Sequence, residues 1–214
     1  SNMLRLSQSI KKRRFAAAIT FWAVTVLSGI GVYWQYENRP GLAASAPLTW
    51  PLESRIPRIE GRPTLIISAH PQCPCTRATL TELARLMNDD HISVDAFVLF
   101  VKPEGANGDW NSGDAWEDAN KIPGVTVLND ELGSEAKLFD AHTSGQTLLF
   151  SADGKLLFSG GITAGRGRRG VSAGESAISA LLKHETPVTD STNVYGCPLF
   201  NDDAFCRVKT GALK

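Results

Sequence analysis

Neither sign of charge dominates this sequence: 22 Lys and Arg stand against 22 Asp and Glu, for a formal net charge of zero. Such a balance gives no electrostatic reason to propose nucleic acid as a partner. Internal repeats and low-complexity tracts are also missing, which removes the repeat architectures. Histidines at metal-ligand spacing are lacking as well. His91, His142 and His184 stand far apart and read as surface or capping residues. Cysteine is scarce, with four in 214 residues. The length, with 43% hydrophobic content, suffices for one ordinary globular domain plus appendages.

The scarce cysteines are placed with purpose. Cys73 and Cys75 lie in Ala69-His70-Pro71-Gln72-Cys73-Pro74-Cys75-Thr76-Arg77, directly after the apolar run Thr64-Leu65-Ile66-Ile67-Ser68. A short continuous apolar run is the pattern of a strand buried on both faces. After the cysteines, Leu80, Leu83, Ala84 and Met87 fall at i, i+3, i+4 and i+7, one stripe of a helix. The pair therefore occupies a strand-to-helix corner with Cys73 at the helix N-terminus. Unpaired N–H groups and partial positive charge there favour the thiolate, which is the nucleophile of thiol–disulfide exchange. Pro74 suits a first helical position and stiffens the link between the sulfurs. His70 and Arg77 are the candidate positive groups nearby. Sulfurs joined across one intervening residue close a small ring whose strain makes the disulfide easier to reduce, which points to an oxidant or isomerase.

Topology is set at the other end of the chain. Ser1-Asn2 ahead of Met3 are left out of the reading. Lys11-Lys12-Arg13-Arg14 precedes residues 15–34, which carry no charge and are long enough to cross a bilayer. The basic cluster assigns residues 1–14 to the cytoplasm and everything after the span to the outer side of the inner (cell) membrane, facing the periplasm. Tyr33, Trp34 and Tyr36 form an aromatic belt at its outer end. The rival is a cleaved signal peptide cut after Ala44-Ser45-Ala46, against which stand the length of the apolar region and Pro47 after the cut. Residues 35–60 carry Pro40, Pro47, Pro51 and Pro57 among small and polar residues, a semi-stiff tether.

The globular domain covers residues 61–185. Beyond the first strand and helix, β-branched and aromatic residues predict a strand over 92–101. A short helix over 114–119, a strand over 125–128 and a helix over 132–139 follow. Residues 147–150 and 156–158 read as two strands around the turn Ala152-Asp153-Gly154-Lys155, and residues 176–183 as the closing helix. Trp110 and Trp116 cover a core edge. The order is βαβ, an inserted αβα, a hairpin and a final helix, which demands a mixed, mostly parallel sheet with helices on both faces. Arg166, Arg168 and Arg169 sit in a glycine-punctuated loop that reads as solvated, with anion binding as the alternative. Residues 186–214 form an extension carrying Cys197 and Cys206, and outside the cytoplasm an even cysteine count favours a structural disulfide between them. A relay in which either exchanges with Cys73 stays open.

The strand, dithiol and helix resemble the thioredoxin superfamily, and in particular its membrane-tethered TlpA and ResA branch. His70 to Arg77, together with Leu156-Leu157-Phe158-Ser159-Gly160-Gly161-Ile162-Thr163, is most similar to the RedB-type proteins. The likeness spans about residues 62–183 and implies a three-layer thioredoxin-like sandwich. It departs in the motif, since the family places two residues between its cysteines and this chain has one. Cys73 then matches the attacking cysteine and Cys75 the resolving one, Cys73 being the more exposed sulfur; a competing alignment sets Gln72 and Cys75 at the family positions. The resemblance also implies a cis-proline where this chain has Gln146. A trans bond is expected there, and the Gln146 amide is left to meet a substrate or a cysteine sulfur. Implied partners are protein thiols or disulfides, with no cofactor. Two other readings stay open. One is a metallochaperone holding copper on Cys73, Cys75 and His70, and the other is a non-enzymatic redox-responsive membrane regulator.

Overall fold

Leu65, Ile66 and Ile67 send alternate side chains to opposite faces of β1 (Thr64–Ala69), and every residue of that strand is buried. A strand hidden on both faces belongs in the middle of a sheet, and in the computed structural model, which describes residues 2–102, 110 and 113–200, β1 is the central one of five strands. It pairs in parallel with β2 (Asp95–Lys102), which pairs in parallel with β3 (Val125–Glu131). On its other side it pairs antiparallel with β4 (Gln146–Phe150), which forms a hairpin with β5 (Leu156–Gly160).

Period-two alternation divides the core between the two faces. Leu65, Ile67, Val98, Phe100, Leu149 and Phe158 pack under α2 (Pro74–Met87), α3 (Asp114–Asn120) and α5 (Ala173–Leu182). Ile66, Phe97, Leu99, Leu148 and Phe150 face the other way, towards Phe139 at the end of α4 (Ser134–Leu138). The fold is a thioredoxin-like mixed sheet with helices on both faces. The expected elements are all present, with shifted starts: α4 begins two residues late at Ser134, β4 one residue early at Gln146, and β2 and α5 move by three. β2 begins at Asp95, and α5 begins at Ala173, where the Ser172 hydroxyl accepts the Glu175 N–H and donates to the Ile162 carbonyl. Glycine-rich sequence hides that start. Gly174 is required there because a Cβ would fall on the Gly161 carbonyl.

Two segments that read as appendages are part of this domain. From Pro40 onward the chain runs along the second face instead of forming a spacer. The Ala44 and Ser45 N–H groups donate to Gln146 Oε1 and Asp140 Oδ2. The Trp50 ring meets Phe139 and Phe150 edge-on, at 5.2 Å each. Glu135 accepts from the Ser54 hydroxyl and the Arg55 N–H. Residues 190–199 in turn follow the β5 edge, through Asp190 and Ser191 against Ser159, and then cross to the loop before β4.

The unit formed by residues 1–39 is separate. In it α1 (Asn2–Glu37) is one continuous helix, and Lys11–Glu37 is long and apolar enough to cross a membrane. At 1.5 Å per residue those 27 residues reach about 40 Å. Thr20 and Thr25 donate their hydroxyls to the carbonyls one turn back, which keeps them satisfied without water.

Candidate active site

The corner after β1 is tied down by its own backbone. The Cys73 N–H donates to the His70 carbonyl at 3.1 Å, and the Thr76 N–H to the Cys73 carbonyl at 3.0 Å. The Thr76 hydroxyl donates to the His70 carbonyl, and Ser144 Oγ accepts the His70 N–H and lies 3.0 Å from Thr76 Oγ1. Cys73 is the N-cap of α2, with extended backbone angles, and Pro74 is the first helical residue, where its missing N–H costs nothing. The sequence assigns both positions correctly.

Exposure is the reverse of the expectation. Cys73 is only 2% exposed, whereas Cys75, one step into the helix, is half-buried. The cause lies more than 120 residues away. Cys197 Sγ sits 2.9 Å from Cys73 Sγ. The Cys197 and Cys75 thiols and backbone N–H groups donate to the Cys73 sulfur and hold its pKa far below the ordinary thiol range, against the opposing effect of burial. The Cys75 pKa is pushed up, because its thiol is the donor to Cys73 and because it is partly buried. A thiolate at Cys73 with protonated thiols on either side is the state that this geometry favours.

Of the two positive groups named from the sequence, His70 stands near the Cys73 thiolate, whose charge opposes the effect of burial on the ring, and Arg77 does not serve these sulfurs. Burial lowers the pKa of His70 and favours its neutral form; its Nδ1 accepts the Gln72 N–H and its ring meets Trp110 edge-on. Arg77 turns outward to Asp114. The cation that acts on Cys75 is Arg166, from the loop read as solvated, and the Gly167 N–H also reaches the Cys75 sulfur. Arg166 Nη1 donates to the Gly196 carbonyl at 2.7 Å, while Arg168 and Arg169 are exposed. No local sequence signal links that loop to the dithiol. Gln146 is buried and turned away from the sulfurs, with its amide joining Ala44 N–H to the Ser159 hydroxyl. Among the described residues every peptide bond is trans.

What faces Cys73 at the loop before β4 is another piece of this chain. The Ser144 N–H donates to the Cys197 carbonyl at 2.8 Å, and the Leu199 N–H to the His142 carbonyl at 2.9 Å, around a Thr143–Pro198 antiparallel bridge. Cys206, and with it the expected Cys197–Cys206 bridge, lies outside the described residues. Among the described residues no group of three or more His, Cys, Asp and Glu gathers as a metal ion would require.

No protein-family model and no curated protein matches the chain. Solved structures do. An uncharacterized conserved protein from Geobacillus kaustophilus is similar with a TM-score of 0.57 at 22% identity, over 78% of this chain and 96% of its own. A hypothetical protein from Sinorhizobium meliloti is similar with a TM-score of 0.56 at 16% identity, over 77% of this chain and 96% of its own. Both likenesses are of fold alone. A secreted disulfide oxidoreductase from Mycobacterium tuberculosis matches at a TM-score of 0.36 and 18% identity, over 45% of this chain and 67% of its own.

Proposed function

We propose that this chain is a membrane-anchored, extracytoplasmic thiol–disulfide oxidoreductase of the RedB-like kind within the TlpA and ResA branch. The observation that carries the reading is the Cys73 sulfur at a helix N-cap, receiving hydrogen bonds from neighbouring thiols and amides. In the exchange, the Cys73 thiolate attacks one sulfur of a partner disulfide. The partner's S–S bond breaks, a Cys73–partner bond forms, and the partner's other sulfur leaves as a thiolate that takes up a proton. Cys75 then loses its proton and attacks Cys73 Sγ, releasing the partner's second thiolate and leaving Cys73–Cys75 oxidised. Arg166 assists that step by favouring the Cys75 thiolate. The reverse sequence oxidises a partner dithiol, and the strained small ring favours that direction. The cysteines perform the exchange alone, with no cofactor.

The anchor is residues 15–34 with residues 1–14 cytoplasmic, which delivers the dithiol to the oxidising side of the inner membrane. A Cys75→Ala/Cys197→Ala double variant expressed in its membrane tests the function, because it lacks both thiols that reach Cys73 and could resolve a mixed disulfide. It should accumulate mixed disulfides through Cys73 that a reductant releases. Failure to trap any protein or glutathione on Cys73, with the variant folded, would rule the reading out.

A further inference from the structure

The segment at residues 196–199 is built to dock beside Cys73. Its backbone extends the loop before β4 through the Ser144–Cys197 and Leu199–His142 hydrogen bonds. Its end is held by Leu199, fully buried against Val101, Ala136 and Ala141. Arg166 holds the Gly196 carbonyl. Gly196 itself approaches so closely that a Cβ would fall on the Ser144 carbonyl oxygen. Backbone pairing, an apolar anchor and a charged clamp together set one sulfur against another at 2.9 Å. A cysteine that merely filled a gap in the core would need none of these.

We propose that Cys197 is a third redox-active cysteine, presented to Cys73 by a C-terminal segment that occupies the partner's place as an internal substrate. The proposal rests on the thiol–disulfide reading above. Starting from the Cys73–Cys75 disulfide, the Cys197 thiolate attacks Cys73 Sγ. The Cys73–Cys75 bond breaks, a Cys73–Cys197 bond forms, and Cys75 leaves as a thiolate that accepts the proton Cys197 gave up. One disulfide is exchanged for another, so no external oxidant is consumed. The new ring spans the fold instead of one residue, so the local strain of the Cys-Pro-Cys ring is relieved. Attack by Cys75 on Cys73 reverses the step when a partner displaces the segment. Cys197 thus stores the oxidising equivalent in a form that only a competing strand releases.

The experiment uses the full chain in detergent, equilibrated with reduced and oxidised glutathione at several ratios, quenched with acid and mapped as non-reduced peptides. A Cys73–Cys197 peptide pair should form in the wild type. In Arg166→Ala its yield should fall about tenfold relative to Cys73–Cys75, the population shift for losing one hydrogen bond from a charged group. Gly196→Val should abolish it and leave Cys73–Cys75 in place. If either variant misfolds, Cys197→Ala decides, since it should convert the oxidised chain wholly to Cys73–Cys75 and speed its reduction by glutathione. Recovery of Cys73–Cys75 alone in the wild type, or of Cys197 bonded to Cys206 at every ratio, would overturn the inference and leave the function standing. Absence of any exchange at Cys73 would overturn both.

Discussion

At the level of single residues, two cysteines separated by one proline have opposite acidities because one receives what the other gives. Cys73 accepts from Cys197 first and Cys75 second, and its pKa falls from the ordinary 9.0; Cys75 donates, and its pKa rises. In the reduced protein the Cys73 thiolate should therefore absorb in the ultraviolet well below neutral pH, and Cys73→Ser should abolish that absorbance. Cys197→Ala, which removes the main donor, should move the titration back towards the ordinary range. An unchanged titration in that variant would exclude Cys197 as the donor. Between the lowered value and 9.0 the unfolded chain binds the extra proton, so the reduced fold gains stability as pH rises through that window. The gain is complete above 9.0 and lost as pH falls through the lowered value. His70 acts on the acid side. Burial keeps it neutral in the fold, so below the ordinary 6.5 the unfolded chain again takes up the proton and stability falls with pH. Urea unfolding of reduced protein across pH checks both slopes. The site was half legible in the sequence. Position on the helix names Cys73 and Pro74 from neighbours a few residues away. Burial of Cys73 and the approach of Arg166 come from contacts that no local pattern encodes.

At the level of elements, the same division of local from distant contacts decides which segments were readable. β1, β2, β4 and α2 are specified by hydrophobic period, and their registers follow from burying one set of side chains on each face. Residues 40–62 have no period at all. Proline and small polar residues exclude helix and strand, yet they do not exclude docking, because Ala46, Trp50 and Ile56 supply apolar contacts and hydrogen bonds to Gln146, Asp140 and Glu135 add to them. The domain therefore needs this segment. Trp50→Ala should destabilise it by about 2–4 kcal/mol, from lost burial and lost edge-to-face contacts, measured as a lower urea midpoint with unchanged slope. A truncation beginning at Pro40 should unfold cooperatively like the parent domain. One beginning at Gly61 uncovers Phe139, Phe150 and Glu135 together and should aggregate or lose cooperativity. Equal midpoints for the two truncations would show that the segment contributes nothing.

At the scale of the whole molecule, the docked segment also bears on how the N-terminal helix is used. A leader cut after Ala44-Ser45-Ala46 requires those residues to lie extended in a peptidase groove. In the folded domain the Ala44 and Ser45 N–H groups are bound to Gln146 and Asp140, Ala46 packs against the same core cluster as Trp50, and Pro47 follows the cut. Processing there would sever a strap that holds the second face of the sheet. Retention of α1 instead leaves the strap whole, with Lys11-Lys12-Arg13-Arg14 at the end of an uncharged span. The mature chain isolated from membranes should therefore begin ahead of residue 15, remain in the membrane fraction after alkaline washing, and lose its domain to protease added outside spheroplasts. Neutralising the four basic residues should leave a fraction of chains with the domain inside, shielded from that protease and reduced. An N-terminus at Pro47 in the mature protein would establish the signal-peptide alternative, and a domain cleaved only after the membrane is opened would reverse the orientation.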